Sequence, residues 1–406
     1  MSDYEHRIFL FDVDGVIVNP VAYRLGITKT LVELCEKIGL QKINTILPHE
    51  SDIAAMEAQG VHDVWDITNI IFCHILTTIA LQANPVETLS NFPHDSTTEH
   101  LHALKVLSPI IARPDYLQLA RDMASTATHS HPPDLALHLF CTKLSNVCQD
   151  KIWMDLLNRF LIGTRSAYSS YGTRLFQNII LGSDDFERTY QLGSEHKGGG
   201  LLRSVDKTLI NQQTVDQLME LNGHNSCAVG VYTARPSLPP KLADISSVGY
   251  SPEAEIALEN AGMQSFPLIG MGMMEWLGKQ HNERTEDLTK PNSTQALAAL
   301  INTITSGQDV VALTEAYAID KQEKSPAKTH LTAIRGKKTI IYVFEDTISG
   351  IVPLQKTTQM LKSQGFNLQL DALGIATDPN KRAALEKHCK NVFSDVNEAF
   401  DSIALA

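Results

Sequence analysis

Three short, nearly continuous apolar runs constrain what this chain can fold into. Ile8, Phe9, Leu10 and Phe11 lead into Asp12, Cys227 to Tyr232 leads into Thr233, and Thr339 to Phe344 leads into Glu345 and Asp346. A strand that is apolar at successive positions has no wet face, so it belongs inside a parallel sheet covered on both sides. Such sheets need helical crossovers, and from about Leu201 the chain alternates accordingly. Helices are expected over Thr214–Leu221, Pro252–Ala261, Ser293–Ile304 and Pro326–Ile334, and strands over Cys227–Tyr232, Phe266–Ile269, Thr339–Phe344 and Ala372–Ala376. The expected fold class is therefore α/β, with a doubly wound parallel sheet. In these sheets ligands bind beyond the carboxyl ends of the strands, so Asp12, Thr233, Glu345 and Asp346 are expected to meet at one site.

Between Asp12 and Cys227 the pattern changes. Apolar residues recur at three- and four-residue spacing in Ile27–Cys35, Ile67–Leu81, Leu101–Ile111, Leu135–Leu144 and Ile152–Leu161, with breaks at Pro48, Pro85, Pro93, Pro109, Pro114, Pro132 and Pro133. A chain of 406 residues exceeds what one core usually serves. The reading is an all-helical domain, residues 19–200, inserted into an α/β core made of 1–18 and 201–406. Gly198, Gly199 and Gly200 close the insert as a hinge, a close backbone approach or a plain linker.

Composition narrows the function classes. Hydrophobic content of 43% and charged content of 20% suit a folded, soluble protein. The opening residues carry mixed charge and do not read as a secretory signal. The longest apolar stretch, Ile67–Leu81, is broken by Thr68, Asn69, His74, Thr77 and Thr78 and falls short of the roughly 20 residues that span a bilayer. Cys35, Cys73, Cys141, Cys148, Cys227 and Cys389 are scattered, as buried thiols in a reducing compartment would be. A cytoplasmic protein without membrane attachment is expected, and no particular oligomeric state is indicated. The net charge of −12 argues against nucleic acid as a partner, but leaves room for a small anion held by local cations or a metal. His129, His131 and His138 lack a nearby carboxylate set and do not read as a metal site.

The chemistry gathers at the strand ends. Asp12 and Asp14 stand two apart where the first run opens into a turn at Gly15. A carboxylate can attack phosphorus and form an acyl-phosphate, which suits Asp12 as nucleophile. Asp14 is then placed to protonate the leaving oxygen and later to deprotonate the hydrolytic water.

Asp12, Val13, Asp14, Gly15 and Val16 after an apolar strand resemble the first motif of the haloacid dehalogenase superfamily, whose members are mostly phosphatases. Val229 to Thr233 is similar to its second motif, which implies that Thr233 hydrogen-bonds the transferring phosphoryl group. Glu345, Asp346 and the following Gly350 and Ile351 are similar to its fourth motif in the sugar-phosphate branches. The resemblance covers the core and not the insert. It implies a Rossmann-like core and Mg²⁺ held by Asp12, the Asp14 carbonyl, Asp346 and, directly or through water, Glu345. Mg²⁺ prefers oxygen ligands of this kind. The family also uses a lysine beside the nucleophile. Lys290, followed by Pro291 at the start of a helix, matches the motif but lies far from Asp346, while Lys321 and Lys324 have better spacing without the proline. Lys290 is favoured, with extra helical residues between Thr305 and Glu323 accounting for the gap.

The insert is similar in position to the superfamily's mobile caps. Its segment Gly163–Arg174 offers Arg165, Arg174, Tyr168 and Tyr171, either to grip a phosphate or sugar or as an ordinary helix with tyrosines packed inward. Arg235, next to Thr233, is expected to contact substrate. The activity expected is hydrolysis of a small phosphorylated metabolite, a sugar or polyol phosphate. A phosphomutase is the alternative; a 2-haloacid dehalogenase, which would lack the second aspartate, and a non-catalytic binding protein rank lower.

Overall fold

Strand β1 (His6–Phe11) has neighbours on both sides, and its alternating side chains divide the surrounding structure into two cores. The computed structural model describes residues 4–83, 97–107, 109–126, 131–145 and 151–403; Pro85, Pro93, His129 and Cys148 lie outside them. The chain divides into two compact units, Met1–Val21 with Leu202–Ala406, and Ala22–Leu201.

The first unit holds the sheet. After β1 come β2 (Val18–Asn19), β3 (Lys207–Thr208), β4 (Cys227–Tyr232), β5 (Leu268–Ile269), β6 (Thr339–Glu345), β7 (Leu368–Ile375) and β8 (Asn391–Phe393). Six of them form one parallel sheet in the order β5-β4-β1-β6-β7-β8, while β2 and β3 pair antiparallel. On one face Phe9 and Phe11 join Val229, Val231, Tyr342 and Phe344; on the other Ile8 and Leu10 join Tyr232, Ile341 and Val343. Phe9 lies opposite Tyr342 and Phe11 opposite Phe344, with stacked rings whose centroids are 5.2 and 4.2 Å apart. Such pairs contribute about 0.5–1.5 kcal/mol beyond their buried area. A one-residue slip would break both and turn the strand inside out.

In the second unit the regular elements, among the described residues, are helical. They are α1 (Val21–Lys37), α2 (Glu50–Glu57), α3 (Val64–Ala83), α4 (Thr97–Leu107), α5 (Tyr116–Thr126), α6 (Pro132–Ser145), α7 (Lys151–Leu161), α8 (Tyr171–Leu181) and α9 (Ser183–Tyr190), with a short 3₁₀ turn at Ile43–Thr45. Helix α3 packs against α6, α7 and α8. It is longer than the sequence reading allowed, and Val64–Gln82 is long and apolar enough to cross a membrane, yet 78% of that stretch is buried within the protein. Its polar residues fit because Thr68 and Thr77 donate to the carbonyls of Val64 and Cys73 at 2.7 and 2.8 Å, four residues back. The closing glycines make a close backbone approach: Gly199 bridges Gly182, and Ser183 N donates to Gly198 O at 3.0 Å.

Returning to the first unit, the helices are α10 (Leu201–Ser204), α11 (Gln212–Asn222), α12 (Glu253–Asn260), α13 (Met271–His281), α14 (Ser293–Ile304), α15 (Asp309–Asp320), α16 (Ile348–Ser363), α17 (Pro379–Leu385) and α18 (Val396–Asp401). Val215 and Leu218 of α11, Ala254 and Leu258 of α12 and Phe400 of α18 cover the Phe9 face. Met274 of α13, Leu300 of α14, Leu313 of α15 and Leu354 of α16 cover the Ile8 face. Helices on both faces of a parallel sheet make an α/β fold with a Rossmann-like arrangement. The helix expected over Pro326–Ile334 is instead two 3₁₀ turns, Pro326–Lys328 and His330–Ile334. Thr329 between them is extended, and its hydroxyl caps the second turn by accepting from Leu331 N at 3.3 Å.

Candidate active site

Strands β4, β1 and β6 are neighbours and parallel, so the residues that follow their apolar runs emerge together. Phe11 is in register with Val231 and Phe344, and Asp12 N donates to Phe344 O at 3.0 Å. Thr233 ends β4, and Glu345 and Asp346 end β6. Lys290 comes from the loop before α14 and inserts its ammonium between two of these ends, 3.0 Å from Asp12 Oδ1 and 2.6 Å from Glu345 Oε1. The same nitrogen lies 3.8 Å from the centroid of the Tyr232 ring. Buried Gln295 sets the loop: its Oε1 accepts from Lys290 N at 2.9 Å, and its Nε2 donates to Thr233 O at 2.8 Å. Lys321 and Lys324 are occupied elsewhere, with Glu283 at 2.8 Å and Glu315 at 3.0 Å. Helix α15 lies in the stretch between Lys290 and Asp346.

Carboxylate oxygens of Asp12, Glu345 and Asp346 lie within 4.8 Å of one another. Two glycines make room for them. Gly15 has φ +73, and a Cβ there would sit 2.2 Å from Asp346 Oδ2; at Gly350 a Cβ would overlap Glu345 Oε1. Burial pushes Asp12 well above the usual carboxylate range, against the pull of Lys290 and with help from Glu345, Asp346 and Asp14. Burial also lifts Asp346 to about 6, with Glu345 adding to the rise and Lys381 opposing it. Burial alone would lower Lys290, but Asp12 and Glu345 outweigh it and push the ammonium upward, so it stays charged. Glu345 accepts from Lys290 and, at 3.4 Å, from Tyr232 through Oε1, and from Thr347 N and Oγ1 at 2.8 and 3.0 Å through Oε2. Both its oxygens therefore serve the lysine and the loop. The donor set, hard oxygens in surplus over nearby ammonium groups, fits a divalent cation among Asp12, Glu345 and Asp346.

Asp14 faces the other way. Its Oδ1 accepts from Arg235 Nε at 2.7 Å and Nη2 at 2.6 Å, and the same guanidinium reaches Asp206 Oδ2 at 3.0 Å. Arg235 was expected to touch substrate, but its side chain is 1% exposed and engaged by two carboxylates. Buried Thr233 accepts from Arg235 N at 3.1 Å through its hydroxyl oxygen, which leaves the O–H to donate. In the helical unit, Arg174 donates to the carbonyls of Ala167 and Tyr168 at 2.9 and 3.3 Å, and Arg165 lies 3.6 Å from Asp63. Tyr171 is buried and bonds Glu195 at 2.7 Å, so the Gly163–Arg174 segment spends its polar groups on its own unit.

Sequence reasoning missed Gln295, Tyr232, Asp206 and Lys381, whose ammonium contacts Asp346 Oδ2 from the first turn of α17. Only Tyr232 had a local signal, being the residue before Thr233. The others are brought in by tertiary packing.

No family model and no curated protein matches the chain. A solved structure, described as an X-ray structure of a Northeast Structural Genomics Consortium target, is similar with a TM-score of 0.62 and 16% identity over 97% of each chain. At that identity the likeness concerns the fold alone.

Proposed function

We propose that this chain is a magnesium-dependent phosphohydrolase that acts on a small phosphorylated metabolite through an aspartyl-phosphate on Asp12. The observation that carries the reading is the Lys290 ammonium 3.0 Å from buried Asp12, at the shared end of three parallel strands where Asp346 and Glu345 also gather. Lys290 opposes the upward push of burial on Asp12, favouring its anionic form, and offers its charge to the incoming phosphoryl group. Asp12 attacks phosphorus; the bond from phosphorus to the ester oxygen breaks as that oxygen takes a proton from Asp14. Asp14 then removes a proton from water, the water oxygen attacks phosphorus, and the Asp12–phosphorus bond breaks to release inorganic phosphate. The O–H of Thr233 donates to a phosphoryl oxygen throughout. Asp12, Asp346 and the Asp14 carbonyl would hold Mg²⁺, which would supply positive charge between the anionic nucleophile and the anionic substrate.

Supporting the substrate class is the net charge of −12, which disfavours polyanionic polymers. The test is turnover of p-nitrophenyl phosphate. It is expected to require Mg²⁺ and to fall at least roughly a thousandfold in Asp12→Asn. Full activity in that variant, or in excess chelator, would overturn the proposal.

A further inference from the structure

A carboxylate that must give and take a proton in one direction needs something to hold it there. Asp14 sits on a turn with a third of its side chain exposed, and nothing in its own loop would fix its rotamer. Arg235 supplies the constraint. Two of its nitrogens converge on one oxygen of Asp14, a two-pronged contact that pins that oxygen more firmly than a lysine's point charge could. An arginine is itself a long, flexible side chain, so it must be held from behind. Asp206 does this, with both side chains of the pair 1% exposed and their atoms 3.0 Å apart.

Asp206 is firmly placed. It follows α10, whose Leu202 carbonyl accepts from Asn260 Nδ2 at 2.9 Å and whose Arg203 pairs with Glu259 at 2.9 Å. It precedes β3, which pairs with β2 at the far end of the Asp12 loop. The chain that leaves the nucleophile and the chain that returns to the unit are thus joined twice, once by backbone pairing and once through Asp206, Arg235 and Asp14. Charge marks this arrangement: one guanidinium nitrogen, Nη2, is shared by two carboxylates, the buried Asp206 and the partly exposed Asp14.

We infer that Asp206 and Arg235 are positioning residues that aim the Asp14 carboxyl at the leaving oxygen; this rests on the phosphohydrolase reading. The consequence is specific to one step. Expulsion of an alkoxide or phenoxide needs the Asp14 proton, whereas dinitrophenolate leaves without one, so loss of aim slows the first and spares the second. Single-turnover release of the leaving group isolates that step from the later hydrolysis of the acyl-phosphate.

The experiment compares phenyl phosphate with 2,4-dinitrophenyl phosphate in single turnovers of the whole Mg²⁺-loaded protein, wild type and Asp206→Asn. Release of phenol is expected to slow roughly tenfold to a hundredfold, the usual cost of losing an outer partner, and release of dinitrophenolate to stay within about threefold. In an Asp14→Asn background, Asp206→Asn is expected to add nothing, because residues acting through one group are not additive. Equal slowing of both esters, or an undiminished effect in the Asp14→Asn background, would make Asp206 merely structural and overturn the inference. If Asp206→Asn fails to fold by thermal melt, Arg235→Lys, which keeps the charge but not the two-pronged contact, carries the same comparison. Wild-type protein inert toward both esters would instead remove the phosphohydrolase reading, and the inference with it.

Discussion

Asp12 and Asp66 are both carboxylates shut away from water, one at the strand ends of the α/β unit and the other in the first turn of α3 in the helical unit. Burial pushes both upward, Asp66 to about 7. Their surroundings differ. Asp66 accepts from the Thr164 hydroxyl at 2.5 Å and has His131 at 3.7 Å, and Thr164 is tied in turn through Thr173 to Asn69 of the same helix. That network closes on itself and braces the start of α3. Around Asp12, three carboxylates from two strands meet the ammonium groups of Lys290 and Lys381, which leaves negative charge in excess at a place where backbone and glycines have cleared space. Asp66 also feels like charge, from Asp63 and Asp134, but the Thr164 hydroxyl and Arg165 oppose it, whereas the Asp12 cluster holds three carboxylates within 4.8 Å of one another, an arrangement that calls for a cation or a substrate.

Lys290 is where this contrast breaks most sharply. Lys290→Ala removes the cation shared by Asp12 and Glu345, and kcat for p-nitrophenyl phosphate is expected to fall by about a hundredfold or more, in the range of a lost electrostatic group at a reacting centre. Lys321→Ala and Lys324→Ala, which lose pairs with Glu283 and Glu315 rather than with Asp12, are expected to stay within about twofold. The reverse ranking would move the functional lysine to another part of the fold.

The second measure is the metal's dependence on pH. Asp346 in the metal-free protein takes up a proton at about 6, and a cation must displace it. The Mg²⁺ concentration for half-maximal activity is therefore expected to be flat above pH 7 and to rise up to about tenfold per unit as pH falls below 6. A flat requirement down to pH 5 would remove Asp346 from the ligand set.

The site was legible where chemistry coincides with a strand end. Apolar runs reporting burial on both faces sufficed to bring Asp12, Thr233, Glu345 and Asp346 to one edge, because a parallel sheet aligns its carboxyl ends whatever the separation in sequence. Lys290 was legible from Pro291 and the helix that follows. What stayed hidden depends on direction. Arg235 was placed beside the site by its neighbour Thr233, but only packing shows its guanidinium turned inward to Asp14 and Asp206. Strand β7 begins at Leu368, before the apolar stretch, because Gln369 and Asp371 alternate with Leu370 toward one edge of the sheet. Strand β8, three residues long, carries too little pattern to be read. In the helical unit the spacing of apolar residues marked helices, yet Arg165 and Arg174 looked available when they are engaged by Asp63 and by nearby carbonyls.

The smallest expected effect on catalysis, and the sharpest test of the comparison, is at Asp66. Its folded value lies above the ordinary carboxylate value of 3.8, at about 7, so the folded unit holds a proton that the unfolded chain releases. Stability from this group is present at low pH and is lost as pH rises through about 7. Across pH 6.5 to 8 the amide protons of α3 are expected to exchange faster as pH rises, beyond the intrinsic chemical rate, by an amount on the order of 1 kcal/mol. Buried His74 of the same helix sets the lower limit of that range: burial lowers it from 6.5 to about 4, so between those values it favours folding as pH rises and offsets Asp66. Asp66→Asn keeps the shape and removes the titration, so its α3 protection should be level over the same range, with Mg²⁺ saturating to hold the other cluster constant. Its turnover of p-nitrophenyl phosphate should match wild type within about twofold, as for substitutions outside a reacting centre. A loss of activity comparable to that of Lys290→Ala would mean that the two buried carboxylates are alike after all, and that a closed hydrogen-bond network is no sign of a structural role.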